Sequence, residues 1–275
     1  MEAKIEKVKN VLVPTDLSEV CEKALYQAVE VVKEQNGSIH LLHIIEDEKN
    51  SAEVDQKLEA FAKKTDYTNI TLIKRKGDIY KTINEVAEEL DVDLIIMATH
   101  GKKGVQKIFG SFALKVIDST EIPVLVVQSK VVENGFRNIL FPVSLLDEDR
   151  QKTAIAIKLA KMFDSKIHIY PRFESSKVGE KQMINTILQI KSYLNKYDIQ
   201  YEVAPLETNT DNFQKKILNY SKEINADLIL IISDSSNHLP ILGGKEETLL
   251  FNELEIPVMC IEDKKSKKAR FSVTG

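Results

Sequence analysis

The stretch NVLVPTDL (Asn10–Leu17) returns far along the chain as NILFPVSL (Asn138–Leu145). Each is a short β-branched run cut by a proline, which reads as a strand with a turn at its end. Working outward, DVDLIIMATH (Asp91–His100) returns as NADLILIISD (Asn225–Asp234), and EIPVLVV (Glu121–Val127) as EIPVMCI (Glu255–Ile261). The first pair is offset by about 128 positions and the other two by about 134. Buried strands are all rich in Val, Ile and Leu, so chance similarity is the competing explanation. The recurring Pro and Asp punctuation argues against it, and three matches in one order indicate a duplicated domain. We place the copies at residues 1–130 and 137–262, with a basic tail at 263–275. The boundary falls at SKVVENGF (Ser129–Phe136), where Asn-Gly signals a turn.

The chain has 275 residues, enough for two domains of ordinary size. Hydrophobic content of 43% and charged content of 29% suit a globular protein. A net charge of −4 implies no bulk attraction to nucleic acid or an anionic membrane. MEAKIEKVKN carries charges where a signal peptide needs an apolar core, and no apolar run approaches the roughly 20 residues of a spanning helix. Cys21 and Cys260 lie far apart in sequence, and two lone thiols make no disulfide framework and no zinc site. The expectation is a cytoplasmic protein with no membrane or nucleic-acid partner.

Each copy alternates strand and helix. NVLVP is a strand stopped by Pro14. SEVCEKALYQAVEVVKEQNG is a helix with Ser18 at its N-cap position, an apolar stripe through Cys21, Leu25, Ala28, Val29 and Val32, and an Asn36-Gly37 stop. SIHLLHII is a strand, AEVDQKLEAFAKK a helix, ITLIKRK a strand, IYKTINEVAEEL a helix, DLIIMAT a buried strand, SFALKVIDST a helix and PVLVVQ a last strand. Continuous apolar strands alternating with helices mean a parallel sheet covered on both faces, with right-handed crossovers. The fold class is α/β, two Rossmann-like doubly wound domains, each with a five-stranded, mainly parallel sheet. Such sheets take ligands beyond the carboxyl ends of the strands, where strand order reverses. Asp16 and the loop Ala98–Ser111 both follow strand ends and share that rim.

VLVPTD (Val11–Asp16), LLHII (Leu41–Ile45), DLIIMATHG (Asp93–Gly101), GSFALKVI (Gly110–Ile117) and PVLVV (Pro123–Val127), in this order, resemble the universal stress protein family in its tandem form. The resemblance covers nearly the whole chain. It implies that the two copies pair through their last strands, Val124–Val127 against Val258–Ile261. That intramolecular pseudo-dimer would cover two exposed sheet edges, and a homodimer of whole chains stays open. Many members bind ATP, with Mg2+ or Mn2+ as companion ion, between the end of the first strand and the loop after the fourth; others bind no nucleotide. Carried over, the cofactor-binding positions are Pro14, Thr15, Asp16, Ile44, Ala98, His100, Gly101, Gly110, Ser111 and Phe112. Pro14, Thr15 and Asp16 would wall adenine and ribose, Asp16 would accept hydrogen bonds, and the backbone of Ile44 would meet the adenine edge.

The loop ATHGKKGVQKIFGS (Ala98–Ser111) departs twice from the family pattern of Gly, two residues, Gly, nine residues and Gly-Ser or Gly-Thr. Ala98 stands at the first glycine position, and eight residues separate Gly101 from Gly110. A phosphate cradle needs inward backbone N–H groups and close approach. Ala98 dislikes positive φ but is tolerated in an ordinary β conformation. Gly104 could absorb part of the deletion, and Gly110-Ser111 opens a helix whose N–H groups and hydroxyl favour an anion. Lys102, Lys103 and Lys107 add counter-charge or are simply solvated. Asp16 itself has a second reading as a helix-entry residue near Ser18. The second copy reads as non-binding: Ser144 replaces the Asp, its loop (Ser233–Phe251) has no Gly near its start and is stiffened by Pro240, and Gly243-Gly244 is a turn or a degenerate anion nest.

No catalytic constellation is visible. His40 and His43 are three apart on a strand, face opposite sides, and cannot grip one ion. His100 could touch a phosphate or bond within its loop. Asp91–Asp93 reads as a helix-to-strand turn on the opposite rim. Cys21 and Cys260 read as buried structural thiols. Two functions remain: a stress-response sensor or switch whose first half binds an adenine nucleotide, with hydrolysis slow or absent, and a partner-binding scaffold with a relic site. An ATP-hydrolysing enzyme using His100 is a weaker third, and protein partners are unknown.

Overall fold

The computed structural model describes residues 7–45, 51–99, 108–145, 149–205, 212–233 and 246–262. The first half runs β1 (Asn10–Thr15), α1 (Glu19–Val32), a 3-10 turn (Lys33–Gln35), β2 (Ser38–Ile45), α2 (Ser51–Ala62), β3 (Ile70–Lys76), α3 (Ile79–Glu89), β4 (Leu94–Ala98), α4 (Ile108–Ser119) and β5 (Val124–Val127). The second runs β6 (Asn138–Val143), α5 (Asp149–Phe163), β7 (Lys166–Pro171), α6 (Lys177–Lys196), β8 (Tyr201–Val203), α7 (Phe213–Glu223), β9 (Leu228–Ser233), α8 (Glu246–Leu250) and β10 (Val258–Glu262). The loop residues His100–Lys107, the matching Asp234–Lys245 and the tail Asp263–Gly275 lie outside the described residues.

All ten strands form one sheet in the order β3-β2-β1-β4-β5-β10-β9-β6-β7-β8. Every described pairing is parallel except the central one, where β5 meets β10 antiparallel with Val126 opposite Val258 and Leu125 opposite Met259. The expected pairing through the last strands is therefore present within one chain. β4 and β5 are buried at every position, as strands covered on both faces must be. Alternation sends Val11 and Val13 to one core and Leu12 to the other.

The duplication extends to individual hydrogen bonds. Asp93 Oδ2 accepts from the backbone N–H of Lys9 (2.8 Å) and Asn10 (3.0 Å). Asp227 Oδ2 accepts from Arg137 and Asn138, both at 2.9 Å. Each aspartate pins the start of one half's first strand to the start of its fourth. Asp93 is thus more than a turn residue, and its Oδ1 lies 3.2 Å from Lys158 Nζ on α5, linking the halves. The connecting segment is sewn onto α1: Gln27 exchanges two hydrogen bonds with the backbone of Val132, and Glu30 accepts from Asn134 N. Its Asn134-Gly135 turn has positive φ at both residues (60° and 80°), and a Cβ on Gly135 would strike the Phe163 ring at 2.2 Å.

Two outcomes follow from this packing. Leu125, fully buried at the seam, should lose about 3 kcal/mol of unfolding free energy on replacement by alanine. Urea denaturation measures this, and a loss under about 1 kcal/mol would contradict the seam's role. Burial pulls the Asp93 carboxyl up, but the two backbone N–H groups and Lys158 outweigh it and hold the pKa below its ordinary 3.8. The stabilisation is therefore present above that value and lost as pH falls through the lower folded pKa. Asp93→Asn should cost about 1–2 kcal/mol at pH 7 and converge with wild type in strong acid, as acid titration of stability would record.

Candidate functional site

Parallel strands turn alternate backbone groups to alternate neighbours. Asn10 O accepts from Asp93 N at the foot of β4, whereas Lys9 O accepts from Ser38 N at the foot of β2. Continuing the alternation, the β4 side of β1 includes position 14, and proline has no N–H to give there. The β1·β4 ladder ends at Leu12 opposite Ile95, while β1·β2 continues to Thr15 opposite His43. So Pro14 does not stop β1, as the sequence suggested; the strand runs on to Thr15 and parts from β4. A crevice opens at the point where strand order reverses.

That crevice holds a cavity of about 140 Å³. Pro14, Thr15, Asp16 and His43 form one lip, Ala98 the other, and Leu42, Ile44, Ile79, Ile83 and Met97 supply apolar wall, with Cys21 beneath. Ile79 opens α3 after Asp78, whose carboxylate caps Tyr80 N and Lys81 N, and it stays 40% exposed on the crevice. The structure brings together Pro14, Thr15, Asp16, Ile44 and Ala98 of the sequence-derived set. His100 and Gly101 lie outside the described residues. Gly110, Ser111 and Phe112 fall within α4, which starts earlier than expected, at Ile108; their side chains are also outside the described residues.

Ala98 is the last residue of β4, without positive φ, so its methyl group is not strained. Ile95 N and Thr99 N are given to β5, and alternation therefore turns the Ala98 backbone toward β1 and the crevice.

Asp16 is held by a strained turn. Leu17 sits at φ 67°, a region costly to a branched side chain, and its N–H donates to Thr15 Oγ1 at 2.9 Å. Ser18 N donates to Asp16 Oδ1 at 2.9 Å, and Cys21 Sγ donates to the same oxygen at 3.1 Å. Ser18 occupies the N-cap position of α1, but its side chain makes no capping bond. Asp16 therefore does serve helix entry, through one oxygen only. Among the described residues nothing bonds Oδ2, and the side chain is exposed. Burial pulls this carboxyl up, yet the donors of Ser18 and Cys21 outweigh it and keep the pKa below the ordinary value. Cys21 carries the opposite consequence, its thiol pushed up to about 11 by burial and the neighbouring Asp16 charge. It is buried, as read from the sequence, but it also orients the carboxylate.

His43 was weighed in the sequence only as half of a metal pair, yet it lines the crevice. Its Nδ1 lies 2.8 Å from Thr15 O. Among the described residues, no group of three or more His, Cys, Asp or Glu could hold a metal ion. Ile79, Ile83 and Met97 were also missed as site residues, because an apolar wall reads as core in a one-dimensional pattern.

The second half has the same strand divergence, with the β6·β9 ladder ending at Leu140 opposite Ile229 and β6·β7 continuing to Val143. Its crevice positions differ. Tyr170 stacks on Phe213 at 5.8 Å and on Tyr220 at 4.9 Å, where the first half carries Leu42, Ile79 and Val86. Arg172 lies 6.0 Å over the Phe213 ring. Lys152 is buried, donates to Pro142 O, and stands 4.4 Å over Phe141.

Fold and crevice define a tandem, doubly wound α/β protein with an open switch-point cleft in its first half. Residues 7–128 match the Universal stress protein family. Universal stress protein A homolog 1 of Coxiella burnetii is 26% identical over 140 residues, 44% of this chain and 97% of that protein. Universal stress protein G of Salmonella typhimurium is 27% identical over 141 residues, 44% of this chain and 99% of that protein. A universal stress protein from Archaeoglobus fulgidus shares the fold over 94% of this chain and 99% of its own, with TM-score 0.71 and 22% identity. The chain belongs to the universal stress protein family, in a tandem two-domain arrangement. Among the described residues no helix is long and apolar enough to cross a membrane.

A thiol with a pKa near 11 instead of 9.0 has about one hundredth of the ordinary thiolate fraction at pH 8. Alkylation of Cys21 by iodoacetamide should be at least about a hundredfold slower than that of a free thiol. Asp16→Asn should speed it by removing the charge. Mass spectrometry of the timed reaction gives the rate; a wild-type rate near that of free cysteine would contradict the buried, raised thiol, and an unchanged rate in Asp16→Asn would contradict the contribution of the Asp16 charge.

Proposed function

We propose that the first half binds an adenine nucleotide in the β1·β4 crevice and that the protein acts as a sensor or switch. The observation that carries this reading is the open, aliphatic-walled cleft of the first half, where the second half sets stacked aromatic rings at the matching positions. Complete ligand pockets are commonly about 300–1,000 Å³. A cavity near 140 Å³ therefore takes part of a ligand, the base and its sugar, between apolar walls. Asp16 Oδ2 faces outward as an acceptor for ribose hydroxyls, and the Ala98 backbone faces the sugar-phosphate side. The phosphates would extend toward the N-terminus of α4 and the loop His100–Lys107. Any Mg2+ or Mn2+ would travel with the phosphates. Binding supplies the switch by favouring one surface conformation over others.

The alternative is a scaffold with a relic site. The loop, one residue shorter than the family pattern, favours it; Ala98 no longer does, since its strand conformation needs no glycine.

ATP at one hundred times its dissociation constant should raise unfolding free energy by about 2.7 kcal/mol. Asp16→Ala should abolish most of that gain while leaving the unliganded protein folded. Thermal unfolding with and without nucleotide measures both. Absence of any shift at millimolar ATP would leave the scaffold.

A further inference from the structure

We propose that α6 is a self-complementary face on which a second copy of this chain docks, the two α6 helices lying antiparallel about a twofold axis near Thr186. This pairing is independent of the nucleotide site. Six large apolar side chains are exposed among the described residues, and four of them, Val178, Ile184, Leu188 and Tyr193, lie on α6. Ile184 and Leu188, 44% and 55% exposed, stand one turn apart and form a stripe, while Met183, Ile190 and Leu194 turn into the core. Val178 and Tyr193 sit further round the helix. The matching helix of the first half, α2, offers the comparison. It has 12 residues where α6 has 20, and its exposed positions include Glu53, Asp55, Lys57 and Glu59. The apolar stripe therefore belongs to one copy alone, and a contiguous exposed stripe of this kind marks an interaction surface.

The charges around the stripe select the occupant. Glu180 stands one turn before Ile184, and Lys191 about one turn after Leu188. The two are about three turns apart, so both lie on the same side of the stripe. Among the described residues neither has an ion-pair partner. Lys191 stands 5.9 Å over the Tyr201 ring. In a twofold pair, whatever residue i meets on the partner meets i in return. An axis midway between Ile184 and Leu188 sets Ile184 against the partner's Leu188. It also brings Glu180 within about 1.5 Å, measured along the helix, of the level of the partner's Lys191. Both contacts form twice. Lys177 falls level with the partner's Asn195, and Lys181 is turned about 100° away from Glu180, off that side. A cavity of about 200 Å³ opens at the Glu180 end, lined by Phe173, Met183 and Ile184 and by the carboxylates of Glu174 and Glu180. Arg172 also lines it and lies over the Phe213 ring. An aliphatic side chain and a cation suit such a cavity, and the partner's Leu188 and Lys191 bring both to it.

Sedimentation equilibrium of the whole chain, from micromolar to millimolar concentration, tests the pairing. A contact between two helices is at the small end of specific interfaces, so the expected dimer is reversible and dissociates on dilution. Leu188→Glu, at an exposed position, should weaken it by at least about tenfold while leaving thermal unfolding of the dilute chain unchanged. Glu180→Lys and Lys191→Glu should each weaken the dimer. The double exchange should restore it, because the reversed charges meet again across the axis. A chain that stays monomeric at millimolar concentration overturns the inference and leaves the face to a partner of another kind. A dimer indifferent to Leu188→Glu overturns it as well, by placing the contact elsewhere. Charge variants that each weaken the dimer without recovery in the double exchange overturn the antiparallel arrangement.

Discussion

A missing hydrogen bond organises the site. Pro14 stands at a β1 position whose backbone faces β4, and it has no N–H to offer. The β1·β4 ladder closes at Leu12 and Ile95, two positions before it. Below that point the sheet is continuous and buried; above it the strands part and leave a cleft between helices α1 and α3. In a doubly wound sheet this is also where successive crossovers diverge to opposite faces. The same constraint recurs at Pro142 in β6, so both halves inherit a cleft from one backbone feature. What each half does with it is decided by side chains.

The halves are held in one sheet by β5 and β10, whose antiparallel contact converts two open edges into an interior seam. The Lys158–Asp93 ion pair and the Gln27–Val132 clasp add polar links on the same side as α1. A chain that is duplicated and self-paired no longer needs two equal sites. One copy keeps an aliphatic cleft, a strained Asp16–Leu17 turn and an outward carboxylate. The other carries Ser144, without a carboxylate, and sets Tyr170, Phe213 and Tyr220 in the matching space. Aromatic stacking there adds stability that the aliphatic first cleft does not have.

Much of the fold was legible in the sequence because its signals are periodic and repeated. Continuous apolar strands gave the parallel sheet, the repeats Asn10–Leu17 and Asn138–Leu145 gave the duplication, and Val124–Val127 with Val258–Ile261 gave the seam. The site was legible only where motif residues sit on strand ends, as Pro14, Thr15, Asp16, Ile44 and Ala98 do. His43 was not assigned to the crevice, because alternation along a strand cannot reveal that a side chain near the strand's end reaches back to a neighbouring carbonyl. The thiol of Cys21 and the walls from Ile79, Ile83 and Met97 come from three separate elements, and no local pattern links them. The aromatic stack of the second half was hidden for the same reason: Tyr170 and Phe213 are 43 positions apart and meet only across a crossover.

The central claim is that one cleft per chain is open to a nucleotide and its duplicate is closed. Binding stoichiometry of ATP, measured by calorimetry on the intact chain at known active concentration, tests this most directly. The account predicts one site per chain. Two equivalent sites would show that the aromatic cluster does not close the second cleft, and none would show that the first is not a nucleotide site.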